Sequence, residues 1–238
     1  MITERFEKGG ETMGKMRHEL KHVIHTGDYL AIKNRLKWIM KSDQHVNSSG
    51  QYKIRSLYFD NYRDKALIEK LSGISEREKF RLRYYNDDCQ FVNLEKKSKK
   101  NQLGTKASAR LTKEECQRIL DGDWEWLKDS KQPLLVEFYS KLHGQQLRPK
   151  TIVDYIREPY VYSIGNVRIT FDSQIRTGLY SNDFFEADIP TIAVFEPGLY
   201  VMEVKFDEFL PDMIEAAIQT NNRQSGAFSK YAACRAYE

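Results

Sequence analysis

Along much of this chain apolar and charged residues alternate with a period of two, and along shorter stretches they follow the period of a helix. A period of two puts residues two apart on the same face of a strand. Residues 15–25, 52–60 (YKIRSLYFD), 75–86, 90–98, 151–163, 166–172, 175–180 and 199–207 predict strands, with a hairpin turn at Asn86-Asp87-Asp88 between the third and fourth. Residues 26–41 predict a helix that Thr26 or Asp28 can cap, with Tyr29, Ile32, Leu36 and Ile39 along one side. Asn61-Tyr62 opens a short helical turn. Thr112 and Glu115 form a T-x-x-E capping box ahead of a second helix. A third spans 133–146, with Pro133 in its first turn and Gly144 as its stop, and 207–222 and 227–237 predict two more. Strands outnumber helices, many are sequential neighbours, and there is no strand–helix–strand rhythm and no internal repeat. The expectation is a mostly antiparallel α+β fold, one domain over 15–238 behind a mobile tail at 1–14 that carries Gly9, Gly10 and Gly14. Met13 is an alternative start to Met1, with Lys8-Gly9-Gly10 then a translated ribosome-binding sequence.

The charged faces of these strands are unusually basic. Arg17, Glu19 and Lys21 share a face; so do Lys79, Arg81 and Arg83, opposite Phe80, Leu82 and Tyr84. Glu95, Lys97 and Lys99 share another, Arg157 lies with Tyr155, Arg168 with Thr170 and Asp172, and Glu203 with Lys205. These faces hold ten Lys or Arg against four Asp or Glu, whereas the whole chain has 38 against 34. Two architectures suit this pattern. One is an open sheet with a wet basic face. The other is a barrel with its apolar faces outward under helices and its cations inward, where an anion must accompany them.

Composition narrows the field. With 40 % hydrophobic, 12 % aromatic and 30 % charged residues and a mean hydropathy of −0.66, the chain is globular. No apolar run is long enough for a transmembrane helix, and the N-terminus lacks a signal-peptide core. Cys89, Cys116 and Cys234 show no metal or disulfide spacing, which suits the cytoplasm. There is no P-loop, no HExxH and no Ser-His-Asp constellation, and the five histidines show no ligand spacing. Trp124 and Trp126 read as packing anchors. The pI of 8.8 admits nucleic-acid binding, but no motif supports it and acids interleave the cations.

Eight short blocks in order resemble the polyphosphate polymerase domain of the vacuolar transporter chaperone (VTC) family, within the triphosphate tunnel metalloenzymes. They are RHELK (17–21), SLYFDN (56–61), KFRLRYY (79–85), LEKK (94–97), YIREPY (155–160), RITFD (168–172), MEVKF (202–206) and FSKY (228–231). The resemblance implies an antiparallel β-barrel tunnel lined by basic residues, with helices packed outside and a C-terminal helix near one tunnel mouth. It implies phosphate-binding, catalytic roles for Lys21, Arg81, Arg83, Lys97 and Arg157, a substrate contact for Tyr155, a metal-binding role for Glu203, and a place at one mouth for Ser229 and Lys230. From the shared faces, Arg17, Lys99, Arg168 and Lys205 join the substrate-binding set and Glu19 the metal set. Two positions depart from the family: Ala227 stands where a basic residue is expected, and Lys99 where a histidine is. Neither the SPX regulatory domain nor the membrane segments of eukaryotic members are among these residues, so translocation would fall to a separate membrane-protein partner.

The chemistry needs such residues. Joining a phosphate to a polyphosphate brings two polyanions together, and fixed cations in a low-dielectric tunnel oppose their repulsion. Arg forks grip phosphoryl oxygens in pairs, and Lys supplies a point charge. Mn²⁺ or Mg²⁺ on carboxylates would neutralise charge developing on the phosphates. The attacking phosphate oxygen is already anionic, so no general base is required. The expected activity is transfer of the terminal phosphoryl group of ATP to a growing polyphosphate. Alternatives are hydrolysis of tripolyphosphate or nucleoside triphosphate on the same fold, and non-catalytic polyphosphate binding.

Overall fold

The computed structural model describes residues 17–100, 103–179, 183–220, 226 and 228–236. The tail expected at 1–14, Ala227 and the ends of the last two predicted helices lie outside the described residues. Ten strands build one antiparallel sheet: β1 (His18–His25), β2 (Lys41–Ser42), β3 (Tyr52–Asp60), β4 (Arg77–Tyr85), β5 (Asp88–Lys100), β6 (Leu103–Thr112), β7 (Arg148–Tyr162), β8 (Val167–Leu179), β9 (Ile192–Ala193) and β10 (Leu199–Phe206). Its main path runs β1-β10-β8-β7-β3-β4-β5-β6. The sheet curls until its edges meet at an isolated antiparallel bridge between Arg17 and Gly104, with no ladder joining β1 to β6 among the described residues. The wall is therefore a tunnel-like, incompletely closed barrel.

Helices cover the outside. Period-two alternation sends Leu57, Phe59, Phe80, Leu82, Val92 and Leu94 outward, where Ile119 of α3 (Lys113–Leu120) and Leu134, Leu135 and Phe138 of α4 (Pro133–Gly144) bury them. On the opposite side Ile169, Phe171, Met202 and Val204 pack against Ile32 and Leu36 of α1 (Thr26–Leu36) and Ile214 of α5 (Asp212–Ile218). The two remaining helices, α2 (Lys65–Leu71) and α6 (Lys230–Arg235), lie at one end of the tunnel.

Local chemistry explains most boundaries. The Thr112–Glu115 capping box forms at 2.9 and 3.1 Å, and α4 begins at Pro133 as predicted and ends at Gly144, two residues before the expected 146. Asn86 and Asp87 both take positive φ (53° and 59°), the geometry of a tight hairpin turn between β4 and β5. Elsewhere the structure corrects the pattern. α1 stops at Leu36 rather than 41. The two strands expected at 166–172 and 175–180 are one, β8 (Val167–Leu179), because Gln174 at φ 50° absorbs the irregularity opposite Asp154–Ile156. The helix expected from 207 starts only at Asp212, since Pro211 keeps its predecessor out of helical geometry and the Asp207 amide bonds to the Gly165 carbonyl instead. β6 was not predicted at all. Two of its outward positions, Ala107 and Ala109, are small beside the bulky Leu111, which gives alternation too little contrast to register.

Candidate functional site

The inward faces of five strands converge. Arg81 and Arg83 on β4, Lys97 on β5, Arg157 on β7, Glu203 on β10 and Lys21 on β1 all face one interior, and α6 adds Lys230. Arg81, Arg83 and Glu203 are buried. The basic residues are thus enclosed rather than spread over an open sheet.

Tyr155 is the hub. Its hydroxyl accepts from Arg83 Nη2 at 2.9 Å, and its ring lies 5.4 Å from the Arg157 guanidinium and 4.9 Å from Lys230 Nζ. Arg83 also donates to Ser56 Oγ at 2.9 Å. Arg81 donates to Glu95 at 2.5 and 2.7 Å and to the Tyr58 hydroxyl at 2.7 Å. Glu95 is fully buried, and Lys106 reaches its second oxygen at 2.6 Å. Burial opposes the Glu95 charge, but Arg81, Arg83 and Lys106 hold the carboxyl well below the usual range. Arg157 makes a two-pronged pair with Asp172 at 2.6 and 2.7 Å, and Lys230 joins the same carboxylate at 2.5 Å. Burial pulls the Arg157 pKa down, but Asp172 outweighs it, and the guanidinium stays charged.

Two lysines lack such support. Lys97 makes no ion pair among the described residues; Arg81 nearby, then burial, push its pKa well below the ordinary lysine value. Lys79 is pushed down to about 7 by burial and then by Lys70, Arg77 and Lys21, against a weaker pull from Asp60. Like charges gathered this way have no structural purpose unless an anion neutralises them.

Glu203 and Glu19 form the acidic counterpart. Lys205 Nζ lies 2.5 Å from Glu203 and 3.6 Å from Glu19, and Lys21 Nζ lies 3.3 Å from Glu19 and 4.0 Å from Glu203. Burial raises the Glu203 pKa, but Lys205, Lys21 and Arg157 drive it well below its ordinary value. Two carboxylates drawn to the same cations are hard oxygen donors, and this set suits a divalent ion whose remaining ligands are phosphate oxygens. Among the described residues no cluster of three or more His, Cys, Asp or Glu is arranged to hold a metal unaided.

The other predicted residues sit at the mouths. Ser229 caps α6, its Oγ accepting from the Ala232 amide at 3.3 Å while Lys79 Nζ donates to it at 3.4 Å. Lys99 lies opposite Arg77 at the same end. At the far end Arg168 is held by Asp43 at 2.9 Å and the Tyr52 hydroxyl at 3.0 Å; Arg17 pairs with Asp207 at 3.1 Å at the seam where it bridges Gly104. These two arginines are not brought to the interior cluster. Sequence reasoning gave no role to Lys79, Glu95, Asp172 or Lys106. The first three share faces with predicted residues and were findable by alternation; Lys106 was hidden with β6.

α6 closes its end of the tunnel. Tyr231 is buried among Ile54, Tyr58, Val153, Tyr155 and Ile175, stacks on Tyr58 at 5.0 Å, and donates to Asp60 at 2.7 Å. No helix among the described residues is long and apolar enough to cross a membrane.

A putative adenylyl cyclase from Hippeastrum, described as having a dominant triphosphatase activity, shares this fold: 14 % identity, 94 % of this chain and 97 % of that one, TM-score 0.56. A putative adenylate cyclase from Bacillus halodurans aligns over 88 % of both chains at 12 % identity and TM-score 0.49. No curated protein matches. The VTC domain profile matches residues 16–238, nearly the whole length, and the chain belongs to the VTC domain family.

Proposed function

We propose that this protein is a divalent-metal-dependent polyphosphate polymerase. The observation that carries the reading is the enclosure of Arg81, Arg83, Lys97, Arg157 and Lys79 in one interior, with Lys79 and Lys97 left without a carboxylate partner among the described residues. A row of phosphates supplies the missing charge. The terminal phosphate oxygen of the acceptor chain attacks the γ-phosphorus of ATP, the bond from that phosphorus to the β–γ bridging oxygen breaks, and ADP departs with the electron pair. Arg81 and Arg83 grip equatorial oxygens, and Arg157, steadied by Asp172, orients the transferring group. Glu203 and Glu19 would hold Mn²⁺ or Mg²⁺, which supplies further neutralisation of the phosphates.

One observation favours a second reading, hydrolysis of a short triphosphate by water. Tyr231 and α6 stopper one end, so a long chain passes that way only if α6 shifts. The described activity of the Hippeastrum protein accords with it. Incubation of purified protein with ATP and Mn²⁺ separates the two: long chains on a gel support the polymerase, and orthophosphate alone supports the hydrolase. Retention of polyphosphate without turnover would leave a binding module.

A further inference from the structure

The end of the tunnel away from α6 carries a side-chain pair that phosphate binding does not use. Phe91 belongs to the inward set of β5, two residues before Asn93 and four before Glu95, yet it is 47 % exposed. The Arg110 guanidinium stacks over its ring at 3.7 Å from the centroid. Arg110 lies opposite Asn93 on β6, and Asn93 lies opposite Arg83 on β4. Among the described residues Arg110 makes no ion pair, so its charge is not committed elsewhere. The path therefore runs from the buried Arg81–Glu95 level, past Arg83 and Asn93, to an open aromatic–guanidinium surface. Strand geometry puts Phe91 about 7 Å beyond Asn93, toward solvent.

We infer that Phe91 and Arg110 form a nucleobase platform at this mouth, so that a nucleoside triphosphate enters with its phosphates leading toward α6 and its base left on the rim. The inference rests on the proposed function, because it requires the triphosphate to occupy the cationic interior. A planar base stacks on an exposed ring and its guanidinium lid irrespective of its hydrogen-bonding edge, and Asn93 offers a donor and an acceptor at the ribose. Inorganic tripolyphosphate lacks both base and ribose and gains nothing here.

Calorimetric titration of the intact protein with ATP and, separately, with tripolyphosphate tests it. Phe91→Ala should weaken ATP binding about tenfold while tripolyphosphate stays within about twofold, the loss expected for one stacked base. Phe91→Trp should restore ATP affinity. Because Phe91 is half exposed its truncation spares the core, and Arg110→Gln gives an independent variant that should also lower ATP selectivity. Unchanged ATP affinity in Phe91→Ala, or equal weakening of both ligands, overturns the platform. Failure of the wild type to bind either ligand would instead remove the proposed function beneath it.

Discussion

Lys79 Nζ stands 3.4 Å from the Ser229 hydroxyl, so β4 meets α6 through an ammonium group that has no carboxylate within ion-pair distance among the described residues. Burial and three neighbouring cations lower its pKa to about 7. The folded value lies below the unfolded one, so the penalty is full below pH 7 and fades as pH rises toward the ordinary lysine range. An incoming polyanion reverses the shift by favouring the charged form. At pH 8, tripolyphosphate binding should therefore take up protons, and its affinity should fall as pH rises above 7. Titration in two buffers of different ionisation enthalpy measures the uptake, which Lys79→Met should reduce. Identical heats in both buffers would contradict the argument.

Arg83 is held by Ser56 and Tyr155 and lies 3.9 Å from Glu95, so its fork is aimed but not consumed. Arg83→Ala should lower turnover at least about tenfold, equivalent to about 1.4 kcal/mol of barrier. Arg83→Lys should not restore it, because a lysine loses the fork and both orienting bonds. Near-normal turnover in a folded Arg83→Ala protein would take this residue out of the site.

How far this was legible from sequence depends on contrast. Arg81, Arg83 and Glu203 sit between bulky outward residues, Phe80, Leu82, Tyr84, Met202 and Val204, so alternation alone identified their face, whereas Lys97 lies between Lys96 and Ser98. That the faces close on one interior is a property of sheet curvature, which strand periodicity does not encode. The small outward residues of β6 hid that strand and, with it, Lys106 and Arg110. Arg17 and Arg168 share the inward parity but lie at strand ends, where Asp207 and Asp43 on neighbouring loops capture them. Parity predicts a face, not a depth.

Glu203 is the acid on which the metal argument turns. Lys205, Lys21 and Arg157 surround it. Glu203→Gln removes a negative charge from a cationic interior, so polyphosphate affinity should hold or rise. Mn²⁺-dependent turnover should drop by about a hundredfold if the carboxylate is a ligand, since phosphoryl transfer depends on charge neutralisation. Parallel binding and rate measurements decide the point. Loss of binding with turnover retained would make Glu203 a structural counter-ion.

Asp60 ties α6 to the barrel. Its carboxylate accepts from the amides of Asn61, Ala66 and Leu67 and from the Tyr231 hydroxyl, at 2.7 to 3.1 Å. Tyr231→Phe keeps the ring stacked on Tyr58 but deletes both the bond it donates to Asp60 and the one it accepts from Arg235 Nη1 within α6, a loss of about 1 kcal/mol. For a chain of this length that lowers the melting temperature by roughly 2–4 °C. The change acts mainly on the stopper, because the Asp60 carboxylate keeps its three amide donors. If α6 must shift for a chain to pass, Tyr231→Phe should raise affinity for long polyphosphate relative to tripolyphosphate. Thermal melts beside paired titrations measure both effects. A lowered melting temperature with an unchanged affinity ratio would make α6 a fixed wall, and the tunnel a blind pocket suited to short triphosphates.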